Sequence, residues 1–255
     1  MINIIVSNED YHHLGIKTNV TLLKEFLINL YSIPMCFSAE ASFGASAVLF
    51  GVGCLTISRV KEIRQLPFAT IPFIFSIQQF FEGLLWLALK NQEYQQWQNL
   101  GTQTFLIFAQ IIWPLWVPTS ILLLEKKHAR IKILSIFSGI GFLLASYLGF
   151  RIFTHTTTAT IVSHHIQYYI DFPHNNILFS GIFYFIVTIV PPFFSSIKKM
   201  SGLGIMIFIS FVITLIFYSH YVISVWCFFA AIISVVVWKI IKELNRKEPK
   251  ELLSV

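Results

Sequence analysis

The sequence predicts an all-α polytopic membrane bundle of seven transmembrane helices, with the N-terminus outside and the C-terminus inside. Three observations carry that expectation. Of 255 residues, 56% are hydrophobic and only 12% are charged, against about 25% charged in a soluble domain. The apolar residues gather in blocks close to the ~20 residues that cross the hydrocarbon core of a bilayer. The connections between blocks alternate in basic charge, and cytoplasmic loops are the ones that collect Lys and Arg.

The blocks run about Ala41–Ser58, Leu66–Leu89, Thr104–Leu124, Ile133–Phe150, Ile177–Ser195, Gly202–Tyr218 and Tyr221–Trp238. Arg59, Lys61 and Arg64 follow the first; Lys126, Lys127, Arg130 and Lys132 the third; Lys198 and Lys199 the fifth. Lys239, Lys242, Arg246, Lys247 and Lys250 follow the last, whereas the remaining connections carry only Lys90 and Arg151. This alternation needs an odd number of crossings, and seven satisfies it. The formal charge of +6 therefore belongs to loops facing the cytoplasm rather than to a nucleic-acid surface. The expected partner is the lipid bilayer. Cys36, Cys54 and Cys227 form no CxxC pair, so neither a disulfide framework nor a cysteine zinc site is indicated.

The expected organisation is an extension over 1–34, a transmembrane domain over 35–240 and a basic cytoplasmic tail over 241–255. Residues 1–34 are polar and then read "NVTLLKEFLINLYSIP". Leu22, Leu23, Phe26, Leu27 and Leu30 share one helical face, as an interfacial helix would require. Translation starting at Met35 is the other reading.

The second block contains "SIQQFFEGLLW", Ser76 to Trp86. On a helix, Phe75, Gln78, Gln79, Glu82 and Trp86 fall on one stripe. An acid near the bilayer centre costs on the order of 2.5–3.5 kcal/mol, so this stripe is expected to face the bundle or a watery cavity. Glu82 lies roughly 10 Å below the outer end of its span. Gln110, Tyr147, Ser180, Tyr184, Tyr218, His220 and Ser224 also fall in outer halves, as an outward-opening pocket would require. Hydrogen bonding from helix to helix is the simpler use of such residues. The expected ligand contacts are Gln78, Gln79, Glu82, Trp86, Gln110, Tyr184, Ser224 and Trp226, around a small molecule, cation or lipid head group.

The connection between blocks four and five, "RIFTHTTTATIVSHHIQYYIDFPHNN", is expected to be a long outer loop. Its histidines and Asp171 are metal-ligand types, although the spacing matches no fixed zinc motif. Zinc on His164, His165, Asp171 and His220 is the corresponding expectation, with solvated or interfacial histidines as the alternative. Tyr168 and Tyr169 fit an aromatic belt. Pro114, Pro118, Pro191 and Pro192 lie inside spans, where proline kinks a helix once neighbours satisfy the freed carbonyls. A nucleotide loop, GxSxG, a Schiff-base lysine in the last block and paired haem histidines are absent.

Four motifs carry a resemblance: "MCFSAEASF" at Met35–Phe43; Pro72 with Gln79, Glu82 and Trp86; His165 with Tyr168; and Ser224, Trp226 and Cys227 followed by Ala230 and Ala231. In these the chain resembles a family of bacterial multi-pass membrane proteins of unknown function, from Met35 to about residue 240. The resemblance implies a bacterial inner (cell) membrane location and a native start at Met35, and it names no reaction. In architecture the chain also looks like zinc-dependent membrane amide hydrolases of the alkaline-ceramidase type. That likeness implies a metal-bound water used with Glu82, but the final block lacks the paired histidines it calls for. A structural or assembly role without catalysis is the third reading.

Overall fold

The computed structural model describes residues 38–162, 165–172, 177–217 and 230–247. Four helices among them are long and apolar enough to cross a membrane: Ala39–Ile57, Ile63–Lys90, Gln92–Leu124 and His128–Thr154. Two shorter apolar helices, Ser180–Phe194 and Met200–Thr214, follow. The seventh expected block lies partly outside the described residues. The helices are α1 (Ala39–Ile57), α2 (Ile71–Lys90), α3 (Gln98–Ile107), α4 (Trp113–Leu124), α5 (His128–Thr154), α6 (Ile177–Ile189), α7 (Met200–Phe217) and α8 (Ala230–Lys247).

α1 begins at Ser38, whose hydroxyl accepts from the Ala41 amide and caps the first turn. Its buried face is Ala39, Ser42, Ser46, Leu49, Gly53 and Thr56, a three-four spacing of mostly small side chains. Small residues let two backbones approach in an apolar medium, where packing rather than water drives association. The approach is close: a Cβ on Gly53 would lie 3.0 Å from the Phe73 amide nitrogen. Ser46 and Ser76 each donate to the other's carbonyl at 2.8 Å. The opposite face exposes Val48, Phe50 and Leu55, the side chains that acyl chains would cover.

The third long helix is not uniform. Between α3 and α4, residues Phe108–Ile112 form a π-helical turn, in which the Trp113 amide donates to the Phe108 carbonyl five residues back. Continued by one residue, that pattern would ask Pro114 for an N–H it does not have. The Ala109 carbonyl is thereby freed, and the Tyr184 hydroxyl of α6 donates to it at 2.6 Å. Further along, Gly141 of α5 lies so close to the Pro114 carbonyl that any side chain there would collide with it.

One end of the bundle gathers the basic connections. Its polar groups are paired: the Gln65 amide donates to the Asn245 carbonyl oxygen at 2.8 Å, Lys61 donates to the Asn245 backbone at 3.3 Å, and Asn245 donates to the Arg59 carbonyl. Glu125, buried just past α4, accepts from the Ser196 amide at 2.6 Å and the Ser196 hydroxyl at 2.5 Å. The Ser195 hydroxyl and the Lys126 and Lys127 amides complete its set at 3.3, 3.1 and 3.0 Å. Burial pushes the Glu125 carboxyl up, but the Ser196 hydroxyl and amide, then the Lys127 and Lys126 amides, outweigh it and hold it below the ordinary glutamate range. Ion pairs join Lys199 to Glu243 at 2.7 Å and Lys126 to Glu62 at 3.6 Å.

At the other end the expected outer loop is a β-hairpin, which adds a sheet to the predicted all-α fold. β1 (Thr157–Val162) pairs antiparallel with β2 (His165–Ile170), from Thr157 opposite Ile170 to Val162 opposite His165. Both strands are rich in Thr, Ile, Val and Tyr, which suit a pleated, half-buried surface. Ala159 and Ile166 are buried against Trp86, Leu85 and Ala39, and Gln98 of α3 donates to the Ala159 carbonyl at 3.3 Å. The hairpin thus packs on the ends of α1, α2 and α3. Also, α8 runs to Lys247, through the boundary expected near residue 240.

Candidate functional site

The polar stripe of α2 faces inward. Gln78, Gln79 and Glu82 have no exposed surface, and Trp86 is 1% exposed. Along this helix apolar residues supply the hydrophobicity while the stripe spends its side chains on partners. The Gln79 amide donates to Glu82 Oε2 at 2.9 Å, fixing the carboxylate from one turn away. Trp113 of α4 donates its indole N–H to Gln78 Oε1 at 2.7 Å. The Trp113 ring also stacks on Phe75, with centroids 3.9 Å apart. Two members of the stripe are thereby held from across the bundle by one side chain.

Toward the hairpin, Trp86 joins the cluster formed by Ala39, Leu85, Ala159 and Ile166. Tyr168 of β2 packs against this cluster and stacks flat on Phe105 of α3, centroids 4.6 Å apart and planes 3° apart. The site therefore has α2 as one wall, α3 and α4 as another, and the hairpin over its end.

Several buried polar atoms in this half find no partner among the described residues: Ser42 Oγ, Trp86 Nε1, Thr102 Oγ1 and Gln110 Oε1. Ser42 precedes Phe43, whose ring covers Gly83, and Thr102 follows Gly101, which abuts Leu85. Ser42, Trp86 and Thr102 thus lie near the Glu82 turn. A buried hydrogen-bonding atom left unmatched costs about 1–3 kcal/mol, so such atoms are uncommon and call for an explanation.

The remaining expected residues divide. Gln110 lies in the π-helical turn, and Tyr184 binds the carbonyl of its neighbour Ala109. Ser224, Trp226, His164 and His220 lie outside the described residues. His165 is buried at 6% exposure, unlike a solvated loop histidine, while Asp171 is exposed and its amide donates to the Thr156 carbonyl. Among the described residues, no three His, Cys, Asp or Glu side chains come together to hold a metal ion. An apolar surface groove of about 300 Å³ lies elsewhere, between Ile111 and Leu115 on one side and Phe142, Ala145, Gly149 and Phe153 of α5 on the other. None of the expected site residues lines it.

Sequence spacing alone missed Trp113 as the partner of Gln78 and Tyr168 as the partner of Phe105. Both residues lie in motifs rich in aromatics, but the pairing is made between elements far apart in the chain.

A family model of DUF6629, a family of unknown function, matches residues 35–251. The chain belongs to this family. The match covers every described residue of the α2 stripe, the π-helical turn and the hairpin. No curated protein and no solved structure matches the chain. DUF6629 carries no assigned reaction, so the site must be read from its own chemistry.

Proposed function

We propose that this DUF6629 chain is a seven-span protein of a bacterial cell membrane, N-terminus outside and C-terminus inside, with the hairpin on the non-cytoplasmic side. The basic connections between helices support that orientation. In this reading Glu82 is the centre of a polar ligand site in the outer half of the bundle. Gln78, Gln79 and Trp86 line it, and Gln110, Tyr184, Ser224 and Trp226 are its further candidates. The ligand is a small molecule, a cation or a lipid head group.

The observation that carries the reading is a carboxyl group with no exposed surface, bonded to Gln79, in a helix long and apolar enough to cross a membrane. A charge-bearing group at such depth is functional by default. The unmatched Trp86, Ser42 and Thr102 atoms near it add donors that a bound polar group would use.

A second reading is a site that only holds helices together. The Trp113–Gln78 bond and the closed surroundings favour it. Native mass spectrometry of the purified chain separates the two. The ligand reading expects a retained non-protein mass that Glu82→Gln loses while still inserting into membranes. Wild type without any retained mass, and with heat stability that responds to added sodium, tetramethylammonium and phospholipid no more than that of Glu82→Gln, would leave the structural reading.

A further inference from the structure

A second site stands at the hairpin end, apart from Glu82. Arg151 lies in the last turn of α5 and is only 8% exposed. Arginine is rarely buried to this degree unless paired, since its guanidinium presents five N–H donors and stays charged. Here the described partners are rings. The guanidinium carbon lies 4.4 Å from the Phe172 centroid and 5.9 Å from the Tyr147 centroid. The two rings meet edge to face, centroids 6.2 Å apart. Rings hold a cation and shield it from water, but they accept no conventional hydrogen bond. Arg151 Nε and the Tyr147 hydroxyl, one turn earlier on the same face, are both buried without a partner among the described residues.

Among the described residues, no ion pair takes up Arg151. The described ion pairs, Lys126–Glu62 and Lys199–Glu243, lie at the basic end. Asp171, beside Phe172, is exposed and takes part in neither. The dipole of α5 favours a cation near its C-terminus, which accounts for an arginine at this position but not for its unmatched Nε.

We propose that Arg151 and the Tyr147 hydroxyl receive a phosphate oxyanion, presented by a phospholipid head group at the hairpin-side surface of the bilayer. Depth supports this source. Arg151 lies roughly 35 Å along α5 from His128, past a hydrocarbon core about 30 Å thick and within the head-group layer. A guanidinium matches phosphate geometry with two parallel N–H donors, and the phenol adds a third.

The test uses the full chain in detergent and follows thermal stabilisation by four additions: phosphatidylglycerol, phosphatidylcholine, diacylglycerol of the same chains, and inorganic phosphate. Either phospholipid should stabilise wild type, and diacylglycerol should not. Arg151→Gln should weaken the phospholipid effect roughly 10- to 100-fold, the loss of a charge-assisted hydrogen-bonded contact. Tyr147→Phe, which keeps the ring, should weaken it less. Inorganic phosphate acting as well as phospholipid would support the oxyanion site and make a soluble anion its source. Equal stabilisation by diacylglycerol, no stabilisation by any phosphate, or unchanged phospholipid response in both variants would overturn the proposal. Should Arg151→Gln fail to fold, the diacylglycerol comparison on wild type and the Tyr147→Phe response still decide it.

Discussion

Glu125 and Glu82 are both buried carboxyls, yet their surroundings are built differently. Glu125, at the basic end, takes donors from three side-chain and backbone groups of Ser195 and Ser196 and from two amides of its own loop. Its neighbour Arg130 donates to the Ser195 carbonyl at 2.5 Å, so the 194–196 segment is held on both sides. Near Glu82 the structure ties Gln79 to the carboxyl while leaving Trp86 Nε1, Ser42 Oγ and Thr102 Oγ1 unmatched among the described residues. A corner whose donors and acceptors are matched is a joint. A region that keeps hydrogen-bonding capacity in reserve, at the cost of stability, is where a bound group is to be sought.

The sharpest way to break this contrast is Glu125→Ala. It leaves five donors without their acceptor in a buried corner, and the expected cost is about 2–4 kcal/mol, read as a large drop in the unfolding midpoint of the detergent-solubilised chain. A stability near wild type would show that the corner is not a joint. Trp113→Phe is the next largest, at about 1–3 kcal/mol, because it leaves Gln78 Oε1 buried and bereft of the indole donor. It should also reduce ligand-dependent stabilisation if the stripe must be held in place to bind. The smallest effect concerns pH. The Glu125 carboxyl is held below its ordinary value of about 4.3, so its contribution to stability is present above that value and is lost as pH falls through the lower folded value. Stability measured from pH 6 down to pH 3 should decline in wild type more steeply than in Glu125→Gln, whose side chain does not titrate there. Parallel profiles would remove this group from the acid response.

Much of the bundle was legible because membrane helices announce themselves by length and composition. The α2 stripe was legible because a 3.6-residue period and the cost of an acid in lipid leave it one direction to face. The hairpin was not: Thr157–Val162 and His165–Ile170 alternate as strands do, but their Thr and His content reads equally as a solvated loop until Ala159 and Ile166 are seen buried on Trp86. That the hairpin packs on Trp86 was illegible for a related reason, since depth within a helix says nothing of what lies above it. The pairings of Gln78 with Trp113 and of Phe105 with Tyr168 were hidden because the π-helical turn lies between Phe105 and Trp113, and no residue pattern signalled its offset from the regular winding.

That turn has a further consequence for alignment. Phe105 and Trp113 stand eight positions apart, and on an unbroken α-helix their directions would diverge by about 80°. With one extra residue absorbed between them, the divergence falls to about 20°. The upper ring can then meet the hairpin tyrosine while the lower one meets Gln78. Rewinding Phe108–Ile112 as regular α-helix, with no residue removed, would swing one half of this helix against the other like a key turned a notch too far, and the two aromatic contacts would no longer be made together.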